Sequence, residues 1–360
     1  MNRLKTNLFL LLSYFLLFSC SEDLENPDPD SFDKEKMDLL FSTLEEKDLG
    51  MGSISIFQDG EEVYQASFGL ADISNSMDNS RETRFRIGSI SKTFTAAMIM
   101  QLVDEESLSL STTLDGFFPE LPNSGSITIE HMLRHRSGLF NFTSSQDYVT
   151  WMTEPKTQEE LIEIFVSNGT VFEPDQRAEY SNTNYVLLSF IIESVEGKNF
   201  SDVLIDRIIS PLNLIRTNYG DNINTANNEA LSYYFQNDQW MLAPETDMSI
   251  PQGAGAIVST PSDINTFFFA LFNDQVVSHE SLNEMQNLVD NYGIGMFQVP
   301  FYERSGFAHT GGIDGFQSMS VHFPNDQMTM SYTSNGVSMP MNDVLIGALS
   351  IYFGIEYALP

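Results

Sequence analysis

The chain has one cysteine, Cys20, among its 360 residues, so no internal disulfide can form and its stability has to come from a packed core. Basic residues are scarce as well, with 17 Lys and Arg against 50 Asp and Glu, for a formal net charge of -33. Such a charge repels phosphate backbones and anionic membrane surfaces, which argues against nucleic acid as a partner. Several catalytic signatures are missing. There is no Gly-x-Ser-x-Gly elbow, no Walker loop, no dinucleotide fingerprint and no His-Glu-x-x-His. Of the five histidines, only His131 and His135 beside Glu130 have the four-residue spacing of a metal pair, too little for a zinc centre. No metal and no cofactor is expected.

Apolar residues are plentiful, at 42% with 28 Phe, enough for a sizeable core. The two ends of the chain differ in kind. Arg3 and Lys5 precede an almost wholly apolar run over 8–18, followed by Ser19-Cys20, which reads as a secretory signal over 1–19, too short for a membrane span. Leu17-Phe18-Ser19-Cys20 resembles the lipobox of bacterial lipoproteins, in which the Cys is acylated after cleavage. The expectation is an exported protein held to a bacterial membrane through a lipid on Cys20 alone, facing the periplasm or the cell surface. The acidic, Pro-containing stretch that follows suits a flexible tether over 20–35, ahead of a folded domain over 36–356.

Within the folded part, Met37, Leu39, Leu40 and Leu44 have helical spacing, and alternating apolar residues flank Asp59-Gly60 as in a hairpin. Near the other end, 316–323 and 328–332 alternate like strands around Pro324-Asn325-Asp326, and 343–353 reads as a closing helix. Between them, helical periodicity dominates, as over 159–166 and 185–195. The pattern predicts an α+β fold: an antiparallel sheet completed by both ends of the chain, flanked by helices, with an inserted and mainly helical lobe over roughly 93–250 and a cleft between the two.

Three short motifs carry chemistry. Ser89-Ile90-Ser91-Lys92 places a hydroxyl and an ammonium three residues apart, on one face if helical, with Gly88 ahead of them. Ser89 would then stand at a helix N-terminus, where free N–H groups favour developing negative charge. Ser-x-x-Lys is a weak signal alone, and it recurs without meaning at Ser31–Lys34. Tyr180-Ser181-Asn182 is the only Tyr-x-Asn in the chain; read blandly, it is a helix cap. His309-Thr310-Gly311-Gly312 precedes the final strands and, read blandly, is a Gly-rich turn.

In this order, these motifs resemble those of the serine β-lactamase and penicillin-binding-protein-like hydrolases, closest to the class C and esterase-like branch. The likeness continues through the segments at 127–139, Phe172-Glu173-Pro174, 184–188 and 253–260, and covers about 36–355. It implies a β-lactamase/transpeptidase-like fold and a serine hydrolase that forms an acyl-enzyme on Ser89. The substrate would be an ester, an amide or a D-amino-acid peptide, a small molecule or peptide of cell-wall origin. A serine hydroxyl needs a neighbouring base. Tyr180 and Lys92 both have ordinary pKa values at or above about 10, so one must be lowered. Tyr180 is assigned as base and Lys92 as its partner and proton relay, with the reverse open. By the same likeness, the backbone N–H groups of Ser89 and Gly312 form the oxyanion hole, and Asn182, His309, Thr310 and Gly311 contact substrate, Asn182 alternatively orienting Lys92. His309 stands where penicillin-hydrolysing members usually carry Lys, which counts against carboxylate recognition. Asp175 stands where members usually have Gly. The rival from another class is a ligand-binding or scaffold lipoprotein with decayed catalysis, disfavoured because Ser89, Lys92 and Tyr180 are all present.

Overall fold

The computed structural model describes residues 32–360. The expected signal over 1–19, the lipidation site Cys20 and most of the expected tether lie outside the described residues. The folded part begins earlier than position 36. Phe32 is buried between the rings of Tyr64 and Tyr352, at centroid distances of 5.9 and 5.2 Å. Acidic composition averaged over the segment hides this single aromatic anchor, whose burial outweighs the cost of ordering its neighbours.

Helix α1 (Lys34–Glu46) starts because the Asp33 carboxylate accepts the Lys36 N–H at 2.8 Å, and it buries Met37, Leu40, Phe41 and Leu44. Strands β1 (Gly50–Gln58) and β2 (Glu61–Phe68) follow, joined by Asp59 and Gly60 at φ +53° and +85°. Two left-handed residues in succession are what a two-residue hairpin turn needs. Further along come β3 (Phe85–Arg86), α2 (Ser91–Asp104), α3 (Asn182–Glu196), α4 (Gln252–Gly255), β4 (Ile257–Ser259) and α5 (Pro261–Phe272). The chain closes with β5 (Phe297–Phe301), β6 (Arg304–Ile313), β7 (Phe316–Phe323), β8 (Met328–Val337) and α6 (Met341–Tyr352).

Six strands form one antiparallel sheet in the order β5-β6-β7-β8-β1-β2. The β1–β8 pairing joins the two ends of the chain, as the alternation at both ends predicts. Successive side chains sort the faces. Ile54, Ile56, Met330 and Tyr332 meet α1 and α6 in an apolar layer. Ser53, Ser55, Ser331 and Thr333 face the other way and are buried too. There Asn265 of α5 donates to the Ser55 carbonyl and hydroxyl, at 2.9 and 3.1 Å.

A second core lies in the helical lobe, where α2 and α3 pack with Leu133, Leu161 and Phe165. The lobe is less purely helical than expected. It contains the hairpin Tyr233–Gln236/Gln239–Leu242 and the short strand Asn218–Tyr219, which pairs with β4. These strands are too short for their alternation to register in sequence.

Candidate active site

Ser89 sits in the short 3-10 turn Gly88–Ile90 that leads into α2, at the junction of the two lobes. The turn lies hard against β6. Gly88 has φ +50°, and a Cβ there would lie 2.8 Å from the Gly312 nitrogen. A Cβ on Gly311 would lie 2.0 Å from the Ile87 carbonyl oxygen, whereas one on Gly312 would meet nothing within 4 Å among the described residues. Gly88 and Gly311 thus permit the close approach, and Gly312 faces open space beside the nucleophile turn.

Three polar side chains converge as expected. Tyr180 donates its hydroxyl to Ser89 Oγ at 2.8 Å, and Lys92 Nζ lies 3.0 Å from the same oxygen. Lys92 Nζ also donates to Asn182 Oδ1 and to the Ala254 carbonyl, both at 2.7 Å. Asn182 opens α3 and is itself clamped: its N–H donates to Asn141 Oδ1 at 2.9 Å and its side-chain amide to Thr143 Oγ1 at 3.0 Å. Both ends of its amide are thus engaged, the oxygen on Lys92 and the nitrogen on Thr143, and Asn182 also lines the cleft beside Ser89.

Burial sets the charges. Lys92 is fully buried at the base of α2, and desolvation lowers its pKa well below that of an ordinary lysine. Burial pushes the Tyr180 phenol the opposite way, upward, against a smaller lowering by its hydrogen bond to Ser89. To act as the base, Tyr180 would have to be phenolate-like beside a cationic Lys92, and burial disfavours both forms; a neutral amine beside a neutral phenol suits the site better.

His309 lies on β6, buried, with its ring 5.5 Å from that of Phe297. Burial is the main cause that holds its pKa down to about 3. Its Nδ1 donates to the Thr310 carbonyl at 2.7 Å, which leaves Nε2 as an acceptor. The position thus supplies no cation for a substrate carboxylate. The cleft has two arms that meet at Ser89 and Gly312. One, of about 310 Å³, is walled by Phe142, Tyr148, Met152 and Tyr234; the other, of about 610 Å³, by Tyr180, Tyr292, His309 and Thr310.

The two histidines four apart do separate work. His131 Nδ1 accepts the Thr128 N–H and closes a capping box, while His135, beyond the helix end, accepts the Ser181 N–H at 3.2 Å and packs its ring 4.5 Å from that of Tyr180. Asp175 adopts φ +65°, a conformation that favours glycine, and Arg136 Nε donates to its carboxylate at 2.7 Å. Sequence reasoning missed the Ala254 carbonyl and Thr143. A backbone acceptor leaves no mark in sequence, although Ala254 falls in a stretch that carried the family likeness.

The comparisons agree with this geometry. A family model described as Beta-lactamase matches residues 38–349. Penicillin-binding protein 4* of Bacillus subtilis (strain 168) is 27% identical over 359 residues, covering 91% of this chain and 78% of its own. Teichoic acid D-alanine hydrolase of Staphylococcus aureus (strain MRSA252) is 24% identical, covering 79% and 70%. Among solved structures, the D-amino acid amidase from Ochrobactrum anthropi SV3 in complex with L-phenylalanine amide superposes with a TM-score of 0.77 at 26% identity, covering 88% of this chain and 98% of the amidase. The fold is the β-lactamase/transpeptidase-like one, and this chain, matched over most of its length, belongs to the beta-lactamase family of serine hydrolases.

Proposed function

We propose that this serine hydrolase cleaves small D-aminoacyl amides or esters through an acyl-enzyme on Ser89. The observation that carries the reading is the contact of Ser89 Oγ with both Lys92 Nζ and Tyr180 Oη at the meeting point of two cleft arms. The names of the amidase and the D-alanine hydrolase support the acyl class. The net charge of -33 and the neutral His309 weigh against polyanionic substrates and free C-terminal carboxylates.

In this mechanism Lys92 is the base. A neutral amine has two N–H groups and one lone pair. The Asn182 and Ala254 oxygens, which only accept, engage both N–H groups and leave the lone pair for the Ser89 proton. Attack of Ser89 Oγ on the carbonyl carbon builds negative charge on the carbonyl oxygen. The N–H groups of Ser89 and Gly312 stabilise it. Tyr180 gives its proton to the departing nitrogen or oxygen and is reprotonated from the Lys92 ammonium. Water then takes the place of the leaving group and releases the acid. The test is turnover of D-phenylalanine amide and its methyl ester, against the L forms, by wild type and Ser89→Ala. The reading predicts turnover of the D forms that disappears in the variant. Equal turnover by the two proteins, or none of either D substrate, refutes it.

The same proposal places the enzyme at a membrane through an acylated Cys20, supported by the apolar run and lipobox-like residues before it. Fractionation of cells expressing wild type and Cys20→Ser decides this. The variant should leave the membrane fraction; equal retention refutes the anchor.

A further inference from the structure

The oxyanion hole needs two backbone N–H groups from segments far apart in sequence, and nothing described so far holds the far end of that contact. Arg86 stands three residues before Ser89, and Asp314 two residues after Gly312. Their side chains meet in a buried ion pair, Arg86 Nη1 donating to Asp314 Oδ2 at 2.8 Å, with exposures of 2% and 1%. Each is fixed further. Asp314 Oδ1 accepts the Thr246 N–H and hydroxyl at 3.0 and 2.6 Å. The Arg86 guanidinium also donates to the Thr246 and Asp221 carbonyls and to Glu245, at 2.8, 2.9 and 2.6 Å. On the near side, Ser318 Oγ donates to the Ile87 carbonyl at 2.8 Å.

We infer that the Arg86–Asp314 pair is a positioning device for the oxyanion hole: it staples the turn bearing Ser89 to the end of β6 bearing Gly312 and so sets the distance between their two N–H groups. The inference rests on the proposed role of those N–H groups. The placement favours it over a generic stabilising role. A buried ion pair contributes little net stability, because desolvation offsets the attraction, but its hydrogen bonds fix geometry, and here both terminal nitrogens of the guanidinium make two each, with only Nε–H left without a partner among the described residues. Here it bridges the two segments whose spacing the reaction needs. With its carboxylate 1% exposed, Asp314 is out of reach of substrate although it borders the smaller cleft arm.

Glu245 provides the control. It pairs with the same guanidinium but lies on neither oxyanion segment. The experiment compares Asp314→Asn and Glu245→Gln with wild type in ester hydrolysis, each normalised to active sites titrated with a fluorophosphonate, so that misfolded protein is not counted. Losing one oxyanion donor outright costs about 10²–10³ in kcat, so loosening one should cost Asp314→Asn about 10-fold or more, with KM unchanged. Glu245→Gln should stay within about twofold of wild type. If Asp314→Asn fails to fold, Thr246→Val, which removes one hydrogen bond from Asp314 Oδ1, should show a smaller fall in kcat at constant KM. Wild-type kcat per titrated site in the Asp314 and Thr246 variants overturns the inference, as does an equal fall in Glu245→Gln or a rise in KM at constant kcat. If the wild type itself takes up no fluorophosphonate at Ser89, the hydrolase mechanism and the inference fall together.

Discussion

Gly311 and Gly312 are neighbours in sequence with opposite tolerances, and exchanging each for alanine separates packing from chemistry. A Cβ at 311 would lie 2.0 Å from the Ile87 carbonyl oxygen and 2.4 Å from Ser318 Oγ. An ordinary carbon–oxygen contact is about 3.3 Å or more, so β6 and the nucleophile turn must part by roughly 1.3 Å. A misplacement of about 1 Å is worth a factor of about 10² in rate. Overpacking should add about 1–3 kcal/mol of destabilisation, and the strained Ser318–Ile87 hydrogen bond about 1 kcal/mol more. At 312 the added methyl meets nothing within 4 Å among the described residues and the backbone N–H remains, so stability should change by no more than about 0.5 kcal/mol. Urea unfolding of each variant gives the stability, and ester turnover per fluorophosphonate-titrated site gives the chemistry. A folded Gly311→Ala enzyme with wild-type turnover would refute the claim that this strand contact sets the site.

The electrostatics of the site and the core carry further expectations. Because burial lowers the Lys92 pKa and raises that of Tyr180, kcat/KM should fall on the acid side as Lys92 takes up a proton and should hold well into the alkaline range. A loss that tracks phenol ionisation near pH 10 would contradict the assignment. Lys92→Gln and Tyr180→Phe should each lower turnover by a factor of about 10²–10⁴, while Tyr180→Phe keeps the ring packing on His135. Buried His309 and His322 are held down to about 3 in the folded state against about 6.5 unfolded. The unfolded chain therefore takes up these protons first, so their contribution is intact above about pH 6.5 and drains away as pH falls toward 3. At pH 5 each accounts for a loss of about 2 kcal/mol. Urea midpoints at pH 7.5 and pH 5 should differ accordingly, and equal midpoints would count against neutral buried histidines.

How far the sequence reveals the site depends on what kind of information each part needs. Ser89, Lys92, Tyr180 and Asn182 are legible because chemistry demands those side chains and the motifs occur in one order; the structure links all four in one hydrogen-bonded series, Tyr180 to Ser89 to Lys92 to Asn182. The sheet is legible from alternation at both ends and from Asp59-Gly60. The direction of proton transfer is not, because it depends on how deeply Lys92 is buried by chain more than a hundred residues away, including Ala254. Arg86–Asp314 is invisible for a related reason: its members are 228 residues apart, and neither belongs to a motif. Phe32 escapes because composition averages over a window and burial of one ring is a local event. Asp175 shows the reverse case: the departure from Gly seen in sequence has its meaning in a φ of +65° and an arginine partner.

The central claim is an activated Ser89, and intact mass after brief treatment with a fluorophosphonate tests it most directly, on wild type beside Ser89→Ala. The account predicts one adduct per wild-type molecule, mapping to the peptide that contains Ser89, and none on the variant. A folded wild-type protein without an adduct, or an adduct that persists on Ser89→Ala, would contradict it.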